Sequence, residues 1–388
     1  MAAGQRPEYP ENCLPATSHH ARVRFAVRYG RSRKHIVPQN AHLYSIKNSE
    51  SFYNSNTSLM RFLITGGAGF IGSHVADHAL DLGHDVHVFD NLSTGRLANI
   101  RHLREHPRFR YTMGDVCDHA QVLDAAADAD LIVHLAAAVG VQLIMERPVE
   151  TIITNVRGTE HVLQAASRRD VPVFVASTSE VYGKMMDTDA GLASLSEDGD
   201  WRLGPTSKRR WAYACSKALD EFLALAYFDE RRLPVVCGRF FNTVGPRQTG
   251  QYGMVIPRFV QRALLNEPIQ IFGDGEQTRC FNNVADAVRA IFALVQHPAA
   301  FGQVYNIGNT EEVSMNALAE RIRVLTNSTS EIVHVPYDQV FLHGFEDMRR
   351  RTPDLTKIAK AIEWAPITPL DETLRAVIAH FRHNAVAL

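Results

Sequence analysis

Tyr213 and Lys217 stand four positions apart in Tyr213-Ala214-Cys215-Ser216-Lys217, so on a helix both side chains leave from one face. That pairing suits a phenolate base: a free phenol titrates near ~10, and a neighbouring ammonium favours its ionised form at neutral pH. The same letters would serve a tyrosine and a lysine on a half-solvated helix. A second reactive group lies in Ser177-Thr178-Ser179-Glu180-Val181-Tyr182-Gly183, directly after the apolar run Val173-Phe174-Val175-Ala176. Thr178 and Glu180 are two apart, and if the extended conformation persists they face the same way. The Thr178 hydroxyl would then bond a substrate oxygen and assist proton transfer to Tyr213, whereas Ser177 and Ser179 read as hydrogen-bonding within a loop.

A third group is Gly66-Gly67-Ala68-Gly69-Phe70-Ile71-Gly72, a GxxGxxG run related to the dinucleotide fingerprint. Gly66 and Gly69 would permit a tight turn against a pyrophosphate, Gly72 would let a helix pack closely on a sheet, and the phosphates would sit at the helix N-terminus. Asp90 ends the next apolar run, 18 residues beyond Gly72, near the position of a ribose-binding carboxylate. There it would accept from both adenosine hydroxyls and repel a 2′-phosphate, which favours NAD over NADP. Asp115, in Gly114-Asp115-Val116, reads either as a partner for the adenine amino group or as a turn aspartate.

These groups need strands and helices to hold them, and the sequence supplies an alternation of both. Apolar runs predict strands at Phe62–Thr65, Asp85–Phe89, Phe109–Thr112, Leu131–Leu135, Val173–Ala176 and Val235–Phe240, with helical segments between most of them. Such alternation predicts an α/β fold, a Rossmann-type doubly wound parallel sheet with ligands at the carboxyl ends of the strands. After Phe240, proline and glycine become frequent and the alternation fades, which predicts a smaller C-terminal substrate lobe. The expected division is an extension over 1–59, an NAD-binding domain over 60–245 and a substrate lobe mainly over 246–388, with interleaved boundaries. Asp274-Gly275 reads as a hairpin turn. Residues 1–59 carry more basic than acidic side chains and no apolar periodicity, so they read as disordered, with a targeting role or a true start at Met60 as alternatives.

Bulk properties exclude several function classes. Of 388 residues, 41 are Lys or Arg and 42 Asp or Glu, a net charge of −1, so no global field points to nucleic acid or an anionic membrane. No apolar run approaches the roughly 20 residues of a membrane helix. Cys13, Cys117, Cys215, Cys237 and Cys280 show no CxxC spacing, which suggests no metal site or redox pair and a reducing, cytoplasmic setting.

Seven motifs stand in one order: TGGAGFIG from Thr65, DN at Asp90-Asn91, GD from Gly114, HLAA from His134, STSEVYG from Ser177, YxxxK from Tyr213 and FNTVGPR from Phe241. From about Met60 onward the chain resembles the extended short-chain dehydrogenases, in their nucleotide-sugar epimerase, dehydratase and decarboxylase branch. The resemblance implies that Gly66, Gly69, Gly72, Asp90, Asn91 and Asp115 hold NAD together with Tyr213 and Lys217. It implies that Thr178, Tyr213 and Lys217 run the oxidation at C4, and that Asn242 and Arg279 bind the nucleotide diphosphate. Glu180 leans the reading away from a 4-epimerase, which needs no carboxylate at C5. The segment Gly344 to Asp354 is similar to the Arg-x-Pro segment of UDP-glucuronate decarboxylases, with Arg351 at the matching arginine, and Arg209-Arg210-Trp211-Ala212-Tyr213 resembles decarboxylases that serve lipid A modification. A plain basic surface run would explain the arginines equally well. The expected activity is decarboxylation of UDP-glucuronate through a 4-keto intermediate; UDP-sugar 4-epimerase, 4,6-dehydratase and an inactive NAD-binding scaffold are the alternatives. The expected partners are a UDP-linked sugar and a second copy of the chain, paired through the helical segments around Val149–Arg168 and Tyr213–Asp229.

Overall fold

The computed structural model describes residues 59–189, 191–250, 254–340 and 348–386. The expected extension, apart from Leu59, lies outside these residues, as do Gly344 to Asp347. All six expected strands form: β1 Arg61–Thr65, β2 Asp85–Asp90, β3 Phe109–Met113, β4 Leu131–His134, β5 Val173–Thr178 and β6 Val235–Phe240. They lie in one parallel sheet with a seventh strand, β7 Gln303–Ile307, in the order β7-β6-β5-β4-β1-β2-β3.

Helices cover both faces because successive side chains of a strand point to opposite sides. Phe62 and Ile64 of β1 join one core, Leu63 the other. On the first face the sheet packs against α1 Phe70–Asp81, through Val75, Ala76 and Ala79. Ala287, Val288 and Ile291, which lie in a later helix, Val284–Val295, complete that core. On the second face lie α2 Pro148–Ser167, with Val162, Leu163 and Ala166, and α3 Trp211–Arg231, with Ala224. Most strand residues are apolar on both sides, as a sheet covered on both faces requires. A third core is built by Ile256, Phe259 and Val260 with Leu318, Ile322, Leu374 and Val377.

Two expectations change. The loss of alternation after Phe240 hid β7, whose short run Gln303-Val304-Tyr305-Asn306-Ile307 returns to the sheet beside β6. Asp274-Gly275 is a turn but not a hairpin: the strand before it, Ile269–Phe272, pairs with Ile332–Val335, and the strand after it, Thr278–Cys280, pairs with Glu312–Ser314. Among the described residues no helix is long and apolar enough to cross a membrane.

Candidate active site

The strand order reverses between β1 and β4, and ligands of doubly wound sheets bind at such a switch point, beyond the carboxyl ends of the strands. A cleft of about 330 Å³ opens there, lined by Gly66, Gly69, Gly72, Asp90, Asn91 and Lys217 among others. Gly66 has φ +71°, and a Cβ on it would lie 2.7 Å from the Ala136 nitrogen. A Cβ on Gly72 would lie 2.3 Å from the Gly66 oxygen. The turn therefore folds back on itself only with glycine at both places.

Helix α1 begins at this turn with no side-chain cap and no acidic residue in its first turn, so its N-terminal N–H groups and dipole are available to an anion. Asp90 closes the cradle. Its Oδ2 accepts from the Ala68 nitrogen at 3.0 Å and its Oδ1 from the Leu92 nitrogen at 2.7 Å. Burial raises its pKa, against the pull of these N–H groups and that of Gly69. Glycine cradle, bare helix N-terminus and buried carboxylate together fit NAD. Asn91 lines the same cleft. Asp115 does not: its Oδ1 accepts from the Cys117 nitrogen at 2.8 Å, closing a local turn, while its neighbours Gly114 and Val116 form the lining. Gly72→Ala is expected to weaken NAD binding at least tenfold and to cost about 1–3 kcal/mol of stability, because its Cβ meets backbone that cannot yield; NAD titration and thermal melting check this.

A second cleft, of about 310 Å³, adjoins the first, and Thr178, Tyr213 and Asn242 line both. Thr178 ends β5, and its Oγ1 accepts from the Glu180 nitrogen at 3.2 Å, capping a short 3₁₀ turn over Ser179–Tyr182. The extended conformation thus stops at Thr178, and the turn rather than strand alternation carries Glu180 into the second cleft. Tyr213, on the first turn of α3, lines both clefts together with Thr178. Burial pushes the Tyr213 phenol well up, the Glu180 charge adds to this, and Thr178 opposes it. Lys217 donates from Nζ to Asp220 Oδ2 at 2.7 Å, inside the protein.

Glu180 is gripped from two sides. Arg351 Nη1 lies 2.7 Å from Oε1, and Arg210 Nη2 lies 3.3 Å from Oε2. Burial alone would raise this carboxyl, but Arg351, Arg210 and Arg279 outweigh it and bring the pKa down to about 2. Glu180 is therefore an anion at any working pH, not a proton donor. Arg351 also donates to Ser179 Oγ at 3.1 Å, so Ser179 serves the site rather than its own loop. The run Arg349-Arg350-Arg351 is divided: Arg349 and Arg350 are exposed and pair with Asp274 at 2.8 Å and Glu312 at 2.9 Å, as a basic surface run would, while Arg351 is buried against Glu180.

Asn242, at φ +37°, donates from Nδ2 to the Cys280 oxygen at 3.0 Å, which ties the end of β6 to the strand bearing Arg279. Arg279 is buried and lines the second cleft. Among the described lining residues, Arg210, Arg258, Arg279 and Arg351 face one acid, Glu180. The excess of three positive charges suits a strongly anionic ligand, bound by forked guanidinium groups.

The structure therefore gathers Thr178, Glu180, Tyr213, Asn242, Arg279 and Arg351 at one junction, sets Lys217 beside it, and leaves Asp115 out of the lining. The sequence analysis named Arg210 within a run that resembles decarboxylases but gave it no site role; it stands just before α3, three positions ahead of Tyr213. Sequence reasoning missed Thr243 and Gln277, whose Oγ1 and Oε1 are buried without a protein partner and line the second cleft.

Comparison with known proteins adds the following. Residues 63–377 match the family described as GDP-mannose 4,6 dehydratase. A UDP-N-acetyl-alpha-D-glucosaminuronate decarboxylase of Bacillus cytotoxicus is 42% identical over 83% of this chain and 98% of its own. UDP-glucuronic acid decarboxylase 1 of Xenopus tropicalis is 35% identical over 83% of this chain and 72% of its own. The crystal structure of UDP-glucuronic acid 4-epimerase from Bacillus cereus, in complex with UDP-glucuronic acid and NAD, superposes with a TM-score of 0.74 at 26% identity, covering 84% of this chain and all of that one.

Proposed function

Because the chain belongs to the GDP-mannose 4,6-dehydratase family of NAD-dependent nucleotide-sugar enzymes, we propose that it decarboxylates UDP-glucuronate through a 4-keto intermediate. The observation that carries this reading is the charge of the second cleft. Its excess of three positive charges balances a UDP-hexuronate, with two negative charges on the diphosphate and one on the sugar carboxylate. A UDP-hexose, with its two diphosphate charges and an uncharged sugar, would leave one of them uncompensated.

Bound NAD supplies a two-electron oxidation at C4 and the matching reduction. Gly66, Gly69, Gly72 and Asp90 hold it, with Asn91 and Lys217 beside them. Tyr213 takes the O4 proton, and Thr178 holds the Tyr213 hydroxyl in line with the substrate oxygen. Once C4 is a ketone, the C5 carboxylate is that of a β-keto acid, and its bonding electrons move towards the C4 oxygen as carbon dioxide leaves. Thr178 and Tyr213 stabilise the charge that gathers there. Arg351 and Arg210 orient the carboxylate, and Glu180, fixed as an anion, holds both guanidinium groups and a water that returns a proton to C5. Asn242 and Arg279 take the diphosphate.

A second substrate reading comes from the 42% identical relative: the same reaction on the 2-acetamido uronate. UDP-glucuronate and UDP-N-acetylglucosaminuronate offered together, with products identified by NMR, separate the two. Interconversion of UDP-glucose and UDP-galactose instead would establish a 4-epimerase.

The proposal includes a homodimer in a cytoplasmic setting. Val149, Ile152 and Ile153 on α2 and Leu219 and Phe222 on α3 are exposed, and α2 packs along α3, so their apolar stripes form one surface that a two-fold mate would cover. Phe222→Glu is expected to give a monomer by light scattering at micromolar concentration where the parent chain is a dimer; a monomeric parent would contradict the pairing.

A further inference from the structure

Lys217 and Asp220 lie one turn apart on α3, 3% and 1% exposed, with Nζ and Oδ2 at 2.7 Å. The other oxygen, Asp220 Oδ1, is buried without a hydrogen-bond partner, and burial raises the carboxyl while Lys217 and Thr159 of α2 pull it down. Thr159 Oγ1 lies 3.1 Å from His134 Nε2, and His134 Nδ1 lies 2.7 Å from Thr65 Oγ1. Burial and the Lys217 charge bring His134 down to about 3, so β4 contributes a neutral ring. A tyrosine–lysine couple needs the ammonium charge for the phenol, yet here a buried carboxylate meets that charge first. Seen from Tyr213, the pair is a dipole whose field falls off faster than that of a lone cation.

We propose that Asp220 is a positioning residue that holds and neutralises Lys217, so that Tyr213 stays protonated until the positive nicotinamide of oxidised NAD lies beside it. This rests on the proposed oxidation at C4, not on the fate of C5. The other charged or titratable groups around the couple are closed off. Glu221 on α3 pairs with Arg239 of β6 at 2.7 Å. Glu180, from the turn after β5, pairs with Arg210 and Arg351. The Cys237 thiol of β6 is pushed up by burial and stays neutral. Burial, Glu180 and Asp220 all raise the Tyr213 phenol, the direction the geometry requires.

Ionisation of Tyr213 is read as tyrosinate absorbance, the parent enzyme minus Tyr213→Phe, titrated without substrate in the NAD and NADH forms. The parent is expected to ionise at least about one pH unit lower with NAD than with NADH. Asp220→Asn is expected to lower the midpoint of the NADH form by about one unit, and Asp220→Glu to restore it. An unmoved midpoint in Asp220→Asn would overturn the proposal. If that variant does not fold, the parent alone decides: an NADH form that ionises below the free phenol's ~10 would show that the Lys217 charge reaches the base. Substrate takes no part, so the outcome is independent of whether carbon dioxide is released.

Discussion

Tyr213→Phe is expected to lower turnover by about 10²–10⁴-fold, the range for loss of a positioned acid–base group, with NAD binding retained. The ring is buried at the junction of the two clefts, and phenylalanine fills the same space. What is lost is one hydroxyl. The O4 proton then has no acceptor, since Thr178 is no base and Glu180 is held by two arginines. Stopped-flow measurement of NADH formation on mixing with UDP-glucuronate isolates the step. A rate close to that of the parent would remove Tyr213 from the mechanism.

Arg351→Ala should be almost as damaging, through two separate effects. It takes away a guanidinium placed to orient the C5 carboxylate, for an expected loss of about 10²-fold in kcat/KM. It also removes the strongest positive influence on Glu180, so the carboxyl titrates higher than about 2. A carboxyl whose folded pKa lies below its ordinary 4.5 stabilises the protein above that value, and the contribution is lost as pH falls through about 2. With Arg351 gone the contribution is smaller and its loss is complete at a higher pH, and melting curves between neutral and acidic buffers should show it. Arg351→Ala with unchanged kcat/KM for the uronate would exclude the carboxylate role.

The parts of this site legible in the sequence were those written in local spacing. The Tyr213–Lys217 interval, the glycine turn and Asp90 at the end of a strand each lie within a single element or turn, where periodicity and backbone geometry decide. Six strands were legible for the same reason. What was not legible depends on chain returning from far away. Strand β7 reaches the sheet after a long excursion through the third core, and Arg351, expected at the site only from the resemblance, meets Ser179 across 172 positions. Thr178 and Glu180 do share a cleft, but through a capped turn that period-two reasoning does not describe. Arg210 sat inside a basic run that reads as solvated until the half-buried Glu180 is seen beside it. Asp220 escaped notice because an acid one turn past a lysine ordinarily signals a surface ion pair, and only burial turns it into a control on the base.

The central claim is that the positive cleft beside Tyr213 serves loss of the C5 carboxylate. The most direct measurement is release of labelled carbon dioxide from UDP-glucuronate, and from its 2-acetamido counterpart, labelled at C6 and incubated with the protein and NAD. The account predicts labelled carbon dioxide in proportion to UDP-pentose or its 4-keto form, from at least one of the two uronates. A substrate that is consumed or epimerised with the label retained on the sugar would contradict it.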